Sequence, residues 1–270
     1  MATVSALAYY PVKGCAGVSV PGFEITATGP VHDRVFMFVS AGEGVFRSQR
    51  RTPRLALVRP EVVHEGAKLT LAAPGVAELT IDVVTDGPRR RVDVHGVWQG
   101  DGVDQGEDVA GWASEVLGEP VRLVRVPADH DRSVDERHGP ITFTDSTPLH
   151  LTSLASLDEL NARILERGGD AVPMERFRPN IVVAGLDGPF AEDAVRGYGI
   201  GGVALRWVKP DVRCAVTMVD QVSGSPSGPE PLRTLATFRR EPAGGVSFGV
   251  KLAVDRPGRI AVGDEIVLSE

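Results

Sequence analysis

Short runs of alternating apolar and polar residues, interrupted by Gly and Pro, dominate this chain and predict a protein built mainly from β-strands. A period of two over about four to eight residues is typical of a strand that is buried on one face. The predicted strands are Val4–Tyr10, Phe23–Thr28, Val35–Val39, Leu55–Val63, Lys68–Ala72, Leu79–Val84, Arg91–Val94, Val121–Val126, Ile181–Ala184, Val203–Lys209, Val212–Asp220, Val246–Val254 and Arg259–Leu268.

Helical spacing is confined to three segments. It predicts helices over Val109–Leu117, over 154–165 and over Leu232–Phe238. The helices do not alternate regularly with the strands, which disfavours a Rossmann fold or a TIM barrel. The segment Pro127–Pro140 has no apolar rhythm, and we interpret it as an exposed loop and a domain boundary.

Composition and charge exclude several classes of function. The 270 residues carry 29 Lys and Arg against 36 Asp and Glu, a net charge of −7, which argues against a general nucleic-acid binder. Two cysteines are too few for an iron–sulfur cluster or an all-cysteine zinc site. The chain has no apolar run of about 18 residues and no basic leader, so we expect a cytoplasmic protein without a membrane segment.

Cys214 is the first candidate for chemistry. A thiolate is a soft metal ligand and a nucleophile, and the neighbouring Arg213 favours the charged form. The alternative is a small buried hydrophobe on a strand. Cys15 has no partner in the sequence and is interpreted as structural.

Four polar segments are candidates for binding an anion or a heterocycle. Lys, Arg and Asn side chains supply the donors that grip phosphate, and short hydroxyls before a proline supply further ones. The alternative for each is an ordinary turn with solvated charges. The segments are Tyr10-Pro-Val-Lys-Gly14, Asp33-Arg34, Thr144-Asp-Ser-Thr-Pro148 and Arg176-Phe-Arg-Pro-Asn180.

The order of these segments resembles the MOSC family, which comprises the C-terminal domain of molybdenum cofactor sulfurases and its stand-alone relatives. Within that family the chain is similar to the amidoxime-reducing type and its bacterial relatives, over nearly the full chain. Further blocks that carry the resemblance are Arg50-Arg-Thr-Pro-Arg54, Phe143, Phe177, Thr217, Asp220 and Pro257–Asp264.

The resemblance implies a mainly β (α+β) fold in two interlocked parts. An N-terminal β-barrel-like domain is expected over residues 1–127, and a MOSC-type β-barrel with flanking helices over residues 128–270. Because Lys13 and Arg34 come from the first part and Cys214 from the second, the site is expected in a cleft between them.

The resemblance also implies a molybdenum–molybdopterin cofactor, with Cys214 as the catalytic residue and as the ligand of the metal. In two places the chain departs from the vertebrate relatives: Gly14 replaces a Ser, and Lys251 replaces a Tyr. The positions that match the family's cofactor surroundings are Lys13, Arg34, Asp145, Ser146, Thr147, Arg178, Asn180 and Arg213. At the two departures, the backbone N–H of Gly14 is still expected to contact the cofactor, and Lys251 is expected to contact the cofactor or the substrate.

The activity implied is reduction of N-hydroxylated compounds, such as amidoximes, hydroxylamines and N-hydroxylated bases, by oxygen-atom transfer to molybdenum. One alternative is another molybdenum oxotransferase, acting on S-oxides or nitrite. A second is a cofactor or sulfur carrier in which Cys214 holds a persulfide. Pyridoxal phosphate binding is associated with the superfamily as a whole and is included here only at that level.

Electrons are expected from a separate donor protein, a ferredoxin or a cytochrome with its reductase, because the sequence has no cluster motif and no nucleotide fingerprint. The small N-oxygenated substrate is the other expected partner, and neither nucleic acid nor membrane is expected. No histidine lies beside the motifs, so protonation in the site is expected to involve water or ligand.

Overall fold

Strands account for 42% of the residues and helices for 17%, which confirms the mainly β fold class. The computed structural model describes residues 1–269. The strands of the first half are β1 (Thr3–Tyr9), β2 (Val12–Lys13), β3 (Val18–Val20), β4 (Gly22–Thr26), β5 (Gly29–Pro30), β6 (Phe36–Ser40), β7 (Arg59–Val63), β8 (Lys68–Ala73), β9 (Val76–Asp82), β10 (Arg89–Val94), β11 (Trp98–Asp104) and β12 (Val121–Arg125).

The second half adds nine strands. They are β13 (Leu149–Ser153), β14 (Ile181–Ala184), β15 (Gly197–Ile200), β16 (Val203–Arg213), β17 (Val219–Asp220), β18 (Ser225–Pro226), β19 (Val246–Arg256), β20 (Gly258–Ala261) and β21 (Ile266–Ser269). The helices are α1 (Glu107–Leu117), α2 (Leu154–Glu166) and α3 (Leu232–Leu235), with 3-10 turns at Pro53–Leu57, His64–Gly66, Met174–Phe177, Ala191–Asp193 and Ala215–Met218.

The two largest sheets carry most of the fold. One has eight strands in the order β21-β15-β16-β19-β13-β14-β1-β3, and the other has five in the order β10-β11-β12-β6-β2. Strands β20-β4-β5 and β7-β8-β9 form two three-stranded sheets, and β17-β18 form a pair. One apolar core lies on the eight-stranded sheet, and a second lies among α1, β6, β8 and β12.

The two halves of the chain share their sheets. Strand β1 pairs with β14, and β4 pairs with β20, so these N-terminal strands are built into sheets of the second half, while β2 pairs with β6 of the first half. Ala2, Val4, Leu7, Phe23 and Ile25 are buried in the core of the eight-stranded sheet. The N-terminal segment therefore places its residues beside those of the C-terminal half.

Helix α1 forms where the apolar spacing predicts it. Val109, Ala113 and Val116 are buried on one face, and Gly118 ends the helix with φ +74°, a conformation that glycine adopts without strain. No helix within residues 1–269 is long and apolar enough to cross a bilayer.

Several predicted elements are wrong in extent. The strand predicted over Leu55–Val63 begins only at Arg59, after a 3-10 turn, and the helix predicted over Leu232–Phe238 stops at Leu235. The strand predicted over Arg259–Leu268 is two strands, because the chain reverses at Gly263 (φ +93°) and each part pairs with a different neighbour. The predictions over Val203–Lys209 and Val212–Asp220 miss that one strand, β16, runs from Val203 to Arg213, and that Val219–Asp220 is a separate short strand.

Candidate functional site

An open cleft of about 160 Å³ collects the polar segments that the sequence singles out. Its walls come from the loop after β2, from the segment before β13, from the turn before β14 and from the end of β16. The predicted site residues on its walls are Lys13, Gly14, Arg34, Asp145, Thr147, Arg178, Asn180, Arg213, Cys214 and Lys251. Ser146 does not line the cleft, but its hydroxyl accepts a hydrogen bond from Lys251.

Cys214 lies where a strand gives way to a turn. Strand β16 ends at Arg213, and the carbonyl of Cys214 accepts hydrogen bonds from the backbone N–H and the hydroxyl of Thr217, at 3.1 and 3.0 Å. Those bonds close the 3-10 turn Ala215–Met218. The thiol is therefore held on a rigid corner, half-buried on the wall of the cleft.

Lys13 is a buried cation, at 6% exposure, on the wall of the cleft. Its Nζ donates to Asp145 Oδ1 at 2.5 Å and lies 5.1 Å from the centre of the Phe46 ring. The Lys13 charge holds the pKa of Asp145 well below its usual range. Next in the chain, Gly14 has φ +84°, so glycine fits this backbone and a Ser would be strained.

Arg34 and Arg178 both stack on Tyr10, each with its guanidinium carbon 4.3 Å from the ring centre. Arg178 ends the turn Met174–Phe177 in a left-handed conformation (φ 56°, ψ 47°). Burial lowers the pKa of Arg178 to about 10 and raises the pKa of Tyr10 to about 12. Both arginines are thereby fixed as planar donors at the cleft.

The side-chain amide of Asn180 is committed within the protein. Its Oδ1 accepts from Arg34 Nη1 and from the backbone N–H of His150, while its Nδ2 donates to Asp33 Oδ1 and the carbonyl of Ala8. All four hydrogen-bonding positions of the amide are used. Asn180 therefore orients Arg34 and joins the two halves of the chain, and its side chain has none of these positions left for a ligand.

Asp211 is the centre of a charged cluster beside Cys214. Its carboxylate accepts a hydrogen bond from Arg213 Nη1, and it lies 3.3 Å from Lys251 Nζ and 3.4 Å from His150 Nε2. Burial alone would raise the pKa of Asp211, but the charges of Arg213 and Lys251 lower it on balance. Burial lowers the pKa of His150 to about 3, so the ring is neutral.

Arg132 donates hydrogen bonds to the backbone of the segment that carries Asp145. This guanidinium donates to the carbonyls of Thr142 and Thr144 at 3.1 and 2.8 Å, and it stacks on Trp98 at 4.8 Å. Arg132 belongs to the segment predicted as an exposed loop. Most of that segment is exposed and has no helix or strand, but Arg132 itself is buried at 6% exposure.

Three buried polar atoms on the cleft walls have no hydrogen-bond partner among residues 1–269. They are Thr144 Oγ1, Arg178 Nη2 and Arg213 Nε. A buried donor without a partner costs roughly 1–3 kcal/mol, which a polar ligand would recover. Six basic side chains and two carboxylates line the cleft. A dianionic phosphate with a polar heterocycle fits these donors, and a thiolate at Cys214 is the soft ligand that molybdenum takes.

Sequence reasoning missed several residues of the cleft. His150 and His95 both line it, so the expectation that no histidine stands near the motifs is wrong. Asp211 precedes Cys214 by three residues and was not predicted. An Asp inside a run of strand residues is a signal that could have found it, because a charge there needs a partner.

The chain matches known proteins over nearly its whole length. Residues 1–120 match the MOSC N-terminal beta barrel domain, and residues 138–267 match the MOSC domain. This chain belongs to the MOSC family. The match covers both the segment that supplies Lys13 and Arg34 and the segment that supplies Cys214.

Three relatives illustrate the breadth of the MOSC family around this chain. Mitochondrial amidoxime-reducing component 1 is 34% identical in Mus musculus and 35% identical in Homo sapiens, in each case over 98% of this chain and 82% of the relative. Molybdenum cofactor sulfurase of Oryza sativa subsp. japonica is 30% identical over 90% of this chain, but over only 31% of its own length.

Proposed function

We propose that this MOSC protein is a molybdenum cofactor-dependent reductase of N-hydroxylated compounds such as amidoximes and hydroxylamines. The observation that carries the proposal is the placement of Cys214, a free thiol, in a cleft walled by arginines with unpaired donors. The similarity to the amidoxime-reducing components over 98% of the chain supports the same choice.

The residues divide between two tasks in holding the cofactor. Cys214 is the ligand of the metal. Arg34 and Arg178, fixed on Tyr10, and Lys13, paired with Asp145, hold the phosphate end as fixed cations. Thr144 and the backbone of Gly14 supply further donors, whereas Thr147, whose hydroxyl donates to the carbonyl of Leu149, offers only an acceptor. Because these groups are ordered by internal contacts, they lose little entropy on binding.

The bound molybdenum centre supplies two-electron chemistry that accepts an oxygen atom from the substrate. The chain's part is to bind, orient and partly desolvate the substrate beside Cys214. Val212 and Val216 line the cleft near the thiol and give that region an apolar wall, while Arg213 and Lys251 present donors there. An apolar molecule with one polar N–O group fits such a surface.

We further propose that electrons come from a separate protein, a ferredoxin or a cytochrome with its reductase, and that the reaction takes place in the cytoplasm. Only Cys15 remains once Cys214 is committed to the metal, which is too few thiols for an iron–sulfur cluster within this chain. A transient electron donor requires only a small interface near the cleft.

The decisive experiment combines metal analysis with an activity panel. Protein from a host that makes the cofactor is analysed for molybdenum and pterin, then assayed with reduced viologen against benzamidoxime, an S-oxide and nitrite. Stoichiometric molybdenum and reduction of benzamidoxime are expected, and Cys214→Ser loses both. Turnover of the S-oxide or nitrite alone assigns a different oxotransferase. A persulfide on Cys214 without molybdenum assigns a sulfur carrier.

A further inference from the structure

Lys251 stands in the cleft wall with its ammonium held at two points. Its Nζ donates to Ser146 Oγ at 3.1 Å and lies 3.3 Å from Asp211 Oδ1. The side chain is 17% exposed and lines the same cleft as Cys214. Strand β19 brings it there, because Lys251 is opposite His150 of β13 on one side and Lys209 of β16 on the other.

One donor of that ammonium is left over. A lysine ammonium has three N–H groups, and Ser146 and Asp211 take two of them. Among residues 1–269 the third has no hydrogen-bond partner, and the cleft is the open space beside it. A donor fixed in this way suits an acceptor oxygen on a ligand.

Asp211 holds the Lys251 ammonium close to the part of the chain that carries Cys214. The carboxylate, at 6% exposure, also accepts from Arg213, the residue directly before Cys214, so one buried charge holds both cations in place. His150 Nε2 also lies 3.4 Å from the Asp211 carboxylate. Asp211 holds Lys251 beside Arg213, the residue before Cys214, and Ser146 holds it next to the Lys13–Asp145 pair.

We propose that Lys251 is the residue that binds the substrate oxygen, with its free N–H donating to the oxygen of the N–O group, and that Asp211 and Ser146 position it. The inference rests on the proposed function and deepens it. It assigns Lys251 to the substrate rather than to the cofactor. The substrates it selects carry an accessible, hydrogen-bond-accepting oxygen on nitrogen, or on sulfur in an S-oxide.

The test measures binding as well as turnover. The dissociation constant of benzamidoxime from oxidised holoenzyme is measured by calorimetry, with molybdenum content determined in the same samples. Lys251→Met loses a hydrogen bond from a charged donor. We therefore expect the dissociation constant of benzamidoxime to rise about 10- to 100-fold, the usual effect of losing such a bond, at unchanged molybdenum content. Lys251→Gln retains a neutral hydrogen-bond donor and a side chain of similar length, so it serves as a second variant if Lys251→Met does not fold. Its dissociation constant for benzamidoxime should lie between those of the wild type and Lys251→Met.

The matched control is Lys209→Met, because Lys209 is opposite Lys251 in the sheet but does not line the cleft. It should bind benzamidoxime like the wild type. Asp211→Asn should weaken binding through Lys251, so the double variant Asp211→Asn with Lys251→Met should bind no more weakly than Lys251→Met alone. Additive effects would overturn the positioning role of Asp211.

The failures are distinguishable. Unchanged benzamidoxime affinity in Lys251→Met, or loss of molybdenum with normal affinity in the loaded fraction, overturns the assignment of Lys251 while the proposed function stands. If wild-type enzyme handles an S-oxide but no N-hydroxylated compound, the proposed function falls, and the Lys251→Met comparison is made with the S-oxide. If wild-type enzyme binds neither, both proposals are overturned.

Discussion

At the scale of single residues, the two thiols lie in opposite environments. Cys15 has no exposed surface, and burial raises its pKa, whereas Cys214 is partly exposed on the cleft wall. Because the thiolate is the reactive form, we expect cofactor-free protein to show one fast thiol with a chromogenic disulfide reagent. The second should react on the order of 100-fold more slowly, since it needs local unfolding.

Substitutions identify the fast thiol. Cys214→Ser should remove the fast phase and leave the slow one, whereas Cys15→Ser should keep the fast phase. Reconstitution with molybdenum cofactor should protect the fast thiol in the wild type. A fast phase that survives Cys214→Ser would contradict the placement of both side chains.

Glu192 is a buried carboxylate in the 3-10 turn Ala191–Asp193, and it packs against the first turn of helix α2. It is fully buried and accepts from the hydroxyl of Ser156 at 2.7 and 2.9 Å, and it makes no salt bridge within the described chain. Burial raises the pKa of Glu192 above its ordinary value. The folded state therefore binds this proton more tightly, so the stability it contributes is present at low pH and is lost as pH rises through the folded pKa.

Replacing Glu192 by Gln should remove that loss. The free energy of unfolding, from urea titrations between pH 5 and 8, should fall less steeply with rising pH in Glu192→Gln than in the wild type. Glu166→Gln is the control, because Glu166 is exposed at the other end of α2. Parallel pH profiles for Glu192→Gln and the wild type would show that burial does not govern this carboxylate.

The motif residues could be predicted at this scale, but the cluster around Asp211 could not. Lys13, Arg34 and Cys214 lie in short segments whose residue types already indicate a ligand. His150, Asp211 and Lys251 meet only because β13, β16 and β19 are neighbours, and the register between β16 and β19 shifts three times. No spacing along the chain records such a pairing.

At the scale of elements, Gly249 allows β13 and β19 to pack closely. Its φ is +74°, and a Cβ there would lie 2.5 Å from the carbonyl oxygen of Leu151 and 2.6 Å from His150 Nε2. Gly249→Ala adds backbone strain and overpacking, so we expect a loss of about 3 kcal/mol in the free energy of unfolding.

Gly244 is the matched control for Gly249. It also has positive φ, +97°, but nothing lies within 4 Å of its Cβ position. Gly244→Ala should therefore cost only the backbone strain, about 1 kcal/mol in the same urea titration. Equal losses at the two positions would mean that the approach of β13 to β19 is not tight.

The segment 142–147 should depend on Arg132 for its order. Arg132→Met leaves two buried carbonyls without their donor, so we expect a loss of about 2 kcal/mol and faster hydrogen exchange in this segment. Arg137→Met is the control from the same loop, because Arg137 is exposed and bonds one carbonyl, that of Val208. Unchanged exchange in Arg132→Met would show that other contacts hold the segment.

Element boundaries were least predictable where a strand stops without Gly or Pro. Val212–Asp220 alternates like one strand, but the chain leaves the sheet at Cys214. The carbonyl of Cys214 is satisfied by Thr217, so the turn needs no special residue. The periodic segment α1, with Gly118 at its end, was predicted correctly because its signal is entirely local.

At the scale of the whole molecule, the net charge gives little indication of the cleft. The chain carries −7, whereas the cleft is lined by six basic side chains and two carboxylates. Acidic residues elsewhere outweigh this local excess. Composition could exclude a general nucleic-acid binder, but only the fold could show that distant cations converge on one site.

The shared sheets predict that the two halves of the chain do not fold separately. Without residues 1–127, strand β14 loses β1 as its neighbour, and the core of the eight-stranded sheet loses Val4, Leu7 and Phe23. Without residues 128–270, strands β1 and β4 lose their partners β14 and β20. Each fragment would expose apolar surface and unpaired strand edges.

We therefore expect full-length protein to unfold in urea in one transition, with fluorescence and circular dichroism coinciding. Fragments 1–127 and 128–270, expressed singly, should be aggregated or lack a cooperative transition, while co-expression should yield a folded complex of the two. A cooperative transition in the isolated 128–270 fragment would show instead that the C-terminal sheet is stable without β1, and that the N-terminal strands only cover it.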